Sequence, residues 1–144
     1  MSISDLKTGK ILVVDDCVSI REFLVKVCSK WDIEVIAVEN SQDAIAELKK
    51  PDAPQILLID WVMPGMDGVE LVSHINSQLT DTPRYVVMMT AKNKPEDIDD
   101  AFAAGVNDYM IKPLDPEEVL SRIGEGEQIL ARAQSATETA CQLG

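Results

Sequence analysis

Basic residues, cysteine pairs and long apolar runs are all in short supply in this chain of 144 residues. Lysine and arginine total 13 against 25 acidic residues, for a formal net charge of −12. Such a surface is repelled by nucleic acid and by anionic lipid, so the domain is expected to bind neither nucleic acid nor membrane. No apolar run approaches the length of a membrane span. Met1 to Lys10 lacks the apolar core of a signal peptide, and the expected location is the cytoplasm. The three cysteines, Cys17, Cys28 and Cys141, match neither the spacing of a zinc site nor that of a redox pair. Cys28 falls among helical core positions and reads as a reduced, buried thiol. The single histidine, His74, falls mid-helix and is expected to face solvent. Internal repeats and low-complexity blocks are missing as well. The length suits one compact domain with one sizeable core.

What is present is alternation. Lys10 to Val14 is rich in β-branched residues, too apolar for a surface strand, and stops abruptly at Asp15-Asp16. Ile20, Phe23, Leu24, Val27, Cys28 and Trp31 then recur at helical spacing. Ile33 to Val38 reads as a second strand. Ser41 is placed to cap a helix carrying Ala44, Ile45 and Leu48, which Pro51 closes. Gln55 to Ile59 is a third buried strand, ending at Asp60. Asp67 and Glu70 have the spacing of a capping box, ahead of a helix with Leu71, Val72, Ile75 and Leu79. Tyr85 to Met89 is a fourth strand, ending at Thr90. Pro95 suits the first turn of a helix carrying Ile98, Ala101 and Phe102, with Gly105 just past its end. Asp108 to Ile111 is a short fifth strand, ending at Lys112-Pro113. Asp115 and Glu118 repeat the capping-box spacing before Val119, Leu120 and Ile123. Five strands alternating with five helices predict an open parallel α/β sheet covered on both faces.

The polar residues that interrupt the apolar runs are Asp15, Asp16, Asp60, Thr90 and Lys112, each at the carboxyl end of a predicted strand. In a parallel sheet those ends share one edge, where open α/β sheets bind ligands. Three carboxylates in one crevice repel one another and call for a counter-charge. A hard divalent cation with oxygen ligands, Mg²⁺ above all, answers that need. Lys112 would serve as a point charge for a phosphoryl oxygen, and Thr90 as a hydroxyl donor. A carboxylate is itself a nucleophile toward phosphorus. Taken singly, each residue is ordinary: Asp-Asp is a solvated turn, and Thr90 and Lys112 are unremarkable. Convergence of all five is what favours chemistry.

These residues sit in longer signatures: Ile11-Leu12-Val13-Val14-Asp15-Asp16; Leu57 through Asp60-Trp61-Val62-Met63-Pro64-Gly65-Met66-Asp67-Gly68; Met88-Met89-Thr90-Ala91; and Ala104-Gly105-Val106-Asn107-Asp108-Tyr109-Met110-Ile111-Lys112-Pro113. With all four in order, the chain resembles the receiver domain of two-component response regulators over about residues 9 to 124. The resemblance implies a flavodoxin-like, doubly wound five-stranded sheet of order 2-1-3-4-5 with five surrounding helices. It implies Asp60 as phospho-acceptor, with Asp16 a direct Mg²⁺ ligand, Asp15 acting mainly through water, and the Val62 backbone carbonyl a further ligand. Mn²⁺ is expected to substitute for Mg²⁺. Thr90 and Lys112 would bind the phosphoryl group, the Lys112–Pro113 bond would be cis, and Tyr109 would swing inward as a switch.

Val62 and Lys92 would tune the lifetime of the phosphorylated state. The implied partners are a histidine kinase or phosphotransfer protein and a downstream output protein or domain. A homodimer through the face of the fourth helix, fifth strand and fifth helix is also implied. The module would not be an enzyme beyond self-catalysed phosphotransfer and slow autodephosphorylation.

Residues 1–8 are expected as an N-terminal segment and 125–144 as a helical extension or tail, weakened as a helix by Gly124 and Gly126. The chain is expected either to stand alone or to be the receiver fragment of a larger regulator with an output enzyme domain. A haloacid-dehalogenase-like phosphatase is the rival enzyme reading, disfavoured because it needs an acid two residues after the nucleophile, where Val62 stands. A flavin binder is disfavoured because Asp15-Asp16, not a phosphate-cradling loop, follows the first strand. Trp61 is expected to be exposed near the site or packed on the surface.

Overall fold

The computed structural model describes residues 9–80, 82–92 and 94–143. The expected segment 1–8 lies outside the described residues. Five strands alternate with five helices: β1 (Lys10–Val14), α1 (Val18–Ser29), β2 (Glu34–Val38), α2 (Ser41–Leu48), β3 (Ile56–Asp60), α3 (Gly68–Gln78), β4 (Tyr85–Thr90), α4 (Pro95–Ala104), β5 (Asp108–Ile111) and α5 (Pro116–Leu143). The strands form one sheet of order β2-β1-β3-β4-β5, and every neighbouring pair is parallel. The register sets Val14 beside Ile59, Asp60 beside Met89 and Thr90 beside Ile111. The carboxyl ends of β1, β3, β4 and β5 therefore lie along one edge.

The apolar runs predicted a sheet buried on both faces, and successive side chains sort to opposite sides. Leu12, Val14, Leu57, Ile59, Val86 and Met88 meet Ala44, Leu48, Leu71, Val72, Ile75 and Ala101 of α2, α3 and α4. Ile11, Val13, Ile56, Leu58, Val87 and Met89 meet Leu24, Val27 and Cys28 of α1 and Val119 and Ile123 of α5. Burying each such side chain stabilises the fold by about 1.5–3 kcal/mol. Truncating a central one, such as Leu58→Ala, is expected to cost about 2–5 kcal/mol. Cys28 is buried as expected, and burial pushes its thiol up to about 11.

Several helix ends follow their sequence signals. Asp67 and Glu70 close a reciprocal capping box (2.9 and 3.1 Å). Pro95 opens α4, and Gly105 ends it in the left-handed conformation, φ 113°. Other signals were overridden. Asn40, not Ser41, caps α2, its side chain accepting the Asp43 N–H at 2.8 Å. Ser41 is buried and instead donates to the Met66 carbonyl at 2.9 Å. Helix α1 ends at Ser29 and the chain turns through Asp32 at φ 57°, so Trp31 leaves the apolar face and is 52% exposed. Phe102 is likewise exposed. His74 is half-buried rather than solvent-facing.

Helix α5 runs for 28 residues straight through Gly124 and Gly126. Gly126 lies against the Tyr85 ring, whose Cδ1 stands 2.6 Å from where a Cβ would be. The glycine is thus used for close approach rather than as a helix stop. Among the described residues no helix is long and apolar enough to cross a membrane.

Candidate functional site

Each residue at the carboxyl edge is delivered by the end of a strand. Asp15 follows β1 and is fully buried; Asp16 beside it is exposed. Asp60 closes β3 and Thr90 closes β4, both buried. Lys112 follows β5 and precedes a cis bond to Pro113. Its ammonium donates to Asp15 and to Asp60, each at 3.0 Å. Three strand ends, far apart in sequence, are joined by that one cation.

The electrostatics follow from the count. Burial pushes the Asp60 carboxyl above its ordinary value; the Lys112 hydrogen bond opposes this, and repulsion from Asp15 and Asp16 adds to it. Burial works against the Lys112 ammonium, but its bonds to Asp60 and Asp15 outweigh it and raise the lysine. The lysine gains from both partners, whereas Asp60 must share one cation with another carboxylate. Carboxylate oxygens of Asp15, Asp16 and Asp60 lie within 4.8 Å of one another. An all-oxygen donor set with surplus negative charge fits a hard cation such as Mg²⁺ and not zinc. Both Asp15 oxygens already accept protein donors, the Cys17 N–H at 2.9 Å and Lys112. Asp16 makes no side-chain hydrogen bond among the described residues.

The expected switch residues form a second knot beside the first. The Lys92 N–H donates to the Thr90 hydroxyl at 3.0 Å, and the Tyr109 hydroxyl donates to the Lys92 carbonyl. Burial, with Asp97 nearby, raises the Tyr109 phenol, and Thr90 works the other way. Thr90 is thus brought to the edge but engaged with its own loop. Val62 is 62% exposed.

Trp61 is where sequence reasoning missed. It is buried, only 6% exposed, in the same core cluster as Leu71, Val72 and Ile75, and the Lys92 ammonium sits over its ring, 4.6 Å from the centroid. Gly68 closes the signature that begins at Leu57 and has no local signal of its own. A Cβ there would stand 2.4 Å from the Asp60 carbonyl oxygen, so only glycine lets α3 start against the acceptor strand. Arg21 carries no signal of a role in the sequence, yet its guanidinium reaches back to the Asp15 carbonyl at 2.7 Å. Neither feature has a sequence signal, because each depends on a contact between separate segments.

Fold and site define a doubly wound α/β domain with an acidic, lysine-bridged crevice at its carboxyl edge. Within that class the chain belongs to the response regulator receiver domain family, whose model matches residues 11–124. The chain is 32% identical over 114 residues to the phosphate regulon transcriptional regulatory protein PhoB of Escherichia coli, covering 79% of this chain and 49% of PhoB. It is 34% identical over 128 residues to the transcriptional regulatory protein ResD of Bacillus subtilis, covering 89% of this chain and 50% of ResD. The chain thus spans about half the length of these curated relatives. The structure of the Vibrio cholerae chemotaxis protein CheY4 superposes with a TM-score of 0.72 at 28% identity, covering 81% of this chain and 97% of that one. Members of the family are signalling modules of two-component systems and not classical enzymes. They bind Mg²⁺ through an acidic pocket and work with histidine kinases and output domains.

Proposed function

We propose that Asp60 accepts a phosphoryl group from a histidine kinase or phosphotransfer protein, and that the aspartyl phosphate changes the surface offered to a downstream partner. The observation that carries this reading is Lys112 bound at 3.0 Å to both Asp15 and Asp60, within a three-carboxylate cluster. An Asp60 carboxylate oxygen attacks phosphorus, the phosphorus–nitrogen bond of the phosphohistidine breaks, and its electron pair returns to the imidazole. Lys112 then moves its ammonium from the Asp60 oxygen to a phosphoryl oxygen. Thr90, whose hydroxyl accepts the Lys92 N–H, would turn its O–H from Tyr109 to another phosphoryl oxygen. Asp16, Asp60 and the Val62 carbonyl would hold Mg²⁺, or Mn²⁺ in its place, with Asp15 reaching it mainly through water. Bound there, the ion supplies positive charge against the oxygens of the transferring group.

Once Thr90 is drawn to the phosphoryl group, Tyr109 holds the inward position, and the face of α4, β5 and α5 is reshaped as a population shift. Exposed Phe102 and Ile111 on that face are available to an output partner or a second copy of the chain. The net charge of −12 argues against nucleic acid binding by the receiver portion, residues 9–124, itself.

Val62 and Lys92 border the acceptor and set how readily water reaches the phosphoryl group. An apolar Val62 orients no water, so autodephosphorylation is slow. Val62→Asn is expected to speed decay of the acyl phosphate in a time course; slower decay would refute this role. The deciding experiment is incubation with acetyl phosphate and MgCl₂, followed by intact-mass measurement. The wild type should gain one phosphoryl group and Asp60→Asn none. Equal labelling of both would sink the reading.

A further inference from the structure

Asp15 is fully buried, and every polar atom it carries is held. Its N–H donates to the Val38 carbonyl at 3.1 Å. One carboxylate oxygen accepts the Cys17 N–H at 2.9 Å, and the other accepts Lys112 at 3.0 Å. Its carbonyl accepts the guanidinium of Arg21 at 2.7 Å. The Arg21 contact is the unexpected one. Arg21 stands in α1, where its side chain could extend into water at no cost, yet it is half-buried and folded back six residues along the chain. Its backbone N–H also donates to the Cys17 carbonyl at 3.2 Å. That backbone bond is the first turn of α1 and would form with any residue but proline at position 21; the guanidinium bond to the Asp15 carbonyl is the one that belongs to arginine. Helix α1 has no side-chain cap from Cys17, so besides the Asp15 carboxylate on the Cys17 N–H, the Arg21 guanidinium is the side chain bound to this turn's backbone among the described residues.

Asp16 is exposed and has no side-chain tether among the described residues. Its place within 4.8 Å of Asp15 and Asp60 is therefore set by backbone alone. We propose that Arg21 is a positioning residue of the cation site: its guanidinium, bound to the Asp15 carbonyl, holds the 15–17 turn so that the Asp16 carboxylate meets the divalent ion. This rests on the reading of Asp16 as a direct ligand. Outer contacts that orient ligands commonly matter 10–100-fold in metal affinity. The sign is distinctive. Removing a cation from the turn that carries Asp15 and Asp16 should, by charge alone, tighten cation binding. A positioning role predicts the opposite.

The test is Mn²⁺ binding by the full chain, followed through the electron paramagnetic resonance signal of the free ion and competed with Mg²⁺. Arg21→Met keeps the aliphatic stem but has no donor, and it should bind about tenfold more weakly than wild type. Arg21→Lys, which can still donate to the carbonyl, should recover most of that loss. Lys26→Ala, removing an exposed α1 charge, should bind like wild type. The metal-free melting midpoint of Arg21→Met should stay close to wild type. An Arg21→Met protein that binds as tightly as wild type, or tighter, overturns the proposal; so does a fall in melting midpoint with unchanged affinity. If Arg21→Met does not fold, Arg21→Lys binding as weakly as Asp16→Asn overturns it. A wild type that binds no Mn²⁺, or an Asp16→Asn protein that binds like wild type, would instead bring down the ligand assignment itself.

Discussion

Charged clusters stand at both edges of the sheet, and they are built to different rules. At the amino edge, Tyr85 and Asp108 open β4 and β5. Asp108 accepts the Tyr85 hydroxyl at 3.1 Å and Arg122 of α5 at 3.2 Å, and Arg122 also reaches Glu125 at 3.4 Å. Water still touches these charges: side-chain exposure is 21% at Asp108, 31% at Arg122 and 46% at Glu125. Burial, then the charge of Asp108, pushes the Tyr85 phenol up, so it stays a neutral donor. This cluster fastens α5 to the sheet. At the carboxyl edge, Asp15 and Asp60 have side-chain exposures of 0% and 7%, and among the described residues Lys112 is the one cation paired with a cluster of three carboxylates. That edge is left short of positive charge. Surplus like charge in a dry place marks a site awaiting a ligand, whereas half-wet charge that solvent can screen marks a fastening.

Lys112→Ala should break the contrast most sharply. With its cation gone, Asp15 and Asp60 are left buried against each other, at a cost of about 3 kcal/mol in chemical denaturation without metal. Added MgCl₂ should restore part of it, since a ligand that binds only the folded state stabilises it. A loss as small as that of a surface ion pair would erase the distinction between the edges. The two close-packed glycines sharpen it next. Gly68→Ala and Gly126→Ala should each cost about 1–3 kcal/mol through overpacking. Only Gly68→Ala, which presses on the Asp60 backbone, should also lower the yield of acetyl phosphate labelling.

Asp60→Asn should act in the opposite direction, raising the metal-free melting midpoint at pH 7 by a few degrees. The folded carboxyl, raised by burial, binds its proton more tightly than the unfolded one. Its contribution therefore favours folding at low pH and turns into a cost as pH climbs from the ordinary Asp value through the raised one. The mutant's advantage should vanish in acid; an advantage that persists there would mean the gain has another source. Arg122→Ala at the amino edge should have the smallest effect, at most about 1 kcal/mol, with labelling of Asp60 unchanged.

Much of this molecule was legible in the chain. Buried strands announced themselves as β-branched runs, and each stopped at the polar residue that now lines the crevice. That regularity is why Asp15, Asp60, Thr90 and Lys112 could be picked out before any contact was known. Helix ends with a local chemical reason, such as Asp67 with Glu70 or Gly105, were equally readable. The misses share a cause. Ser41 looks like a cap, but its hydroxyl is taken by Met66, 25 positions on. Trp61 beside an acidic residue looks exposed, but it is drawn into the core on one face of the sheet. Gly126 looks like a helix breaker, but Tyr85 fills the space beside it. Arg21 has no local signal at all, and only the fold bends it back to the Asp15 carbonyl.

The order and type of the elements, and which side chains end each strand, were determined by the chain itself, because hydrophobic period and turn chemistry act over a few neighbouring residues. Which of those side chains share a cation, how dry the acceptor is, and what props up the acidic turn were decided only when distant segments packed. Coulomb energy and burial depend on distance and water, and neither exists until the sheet has closed its crevice.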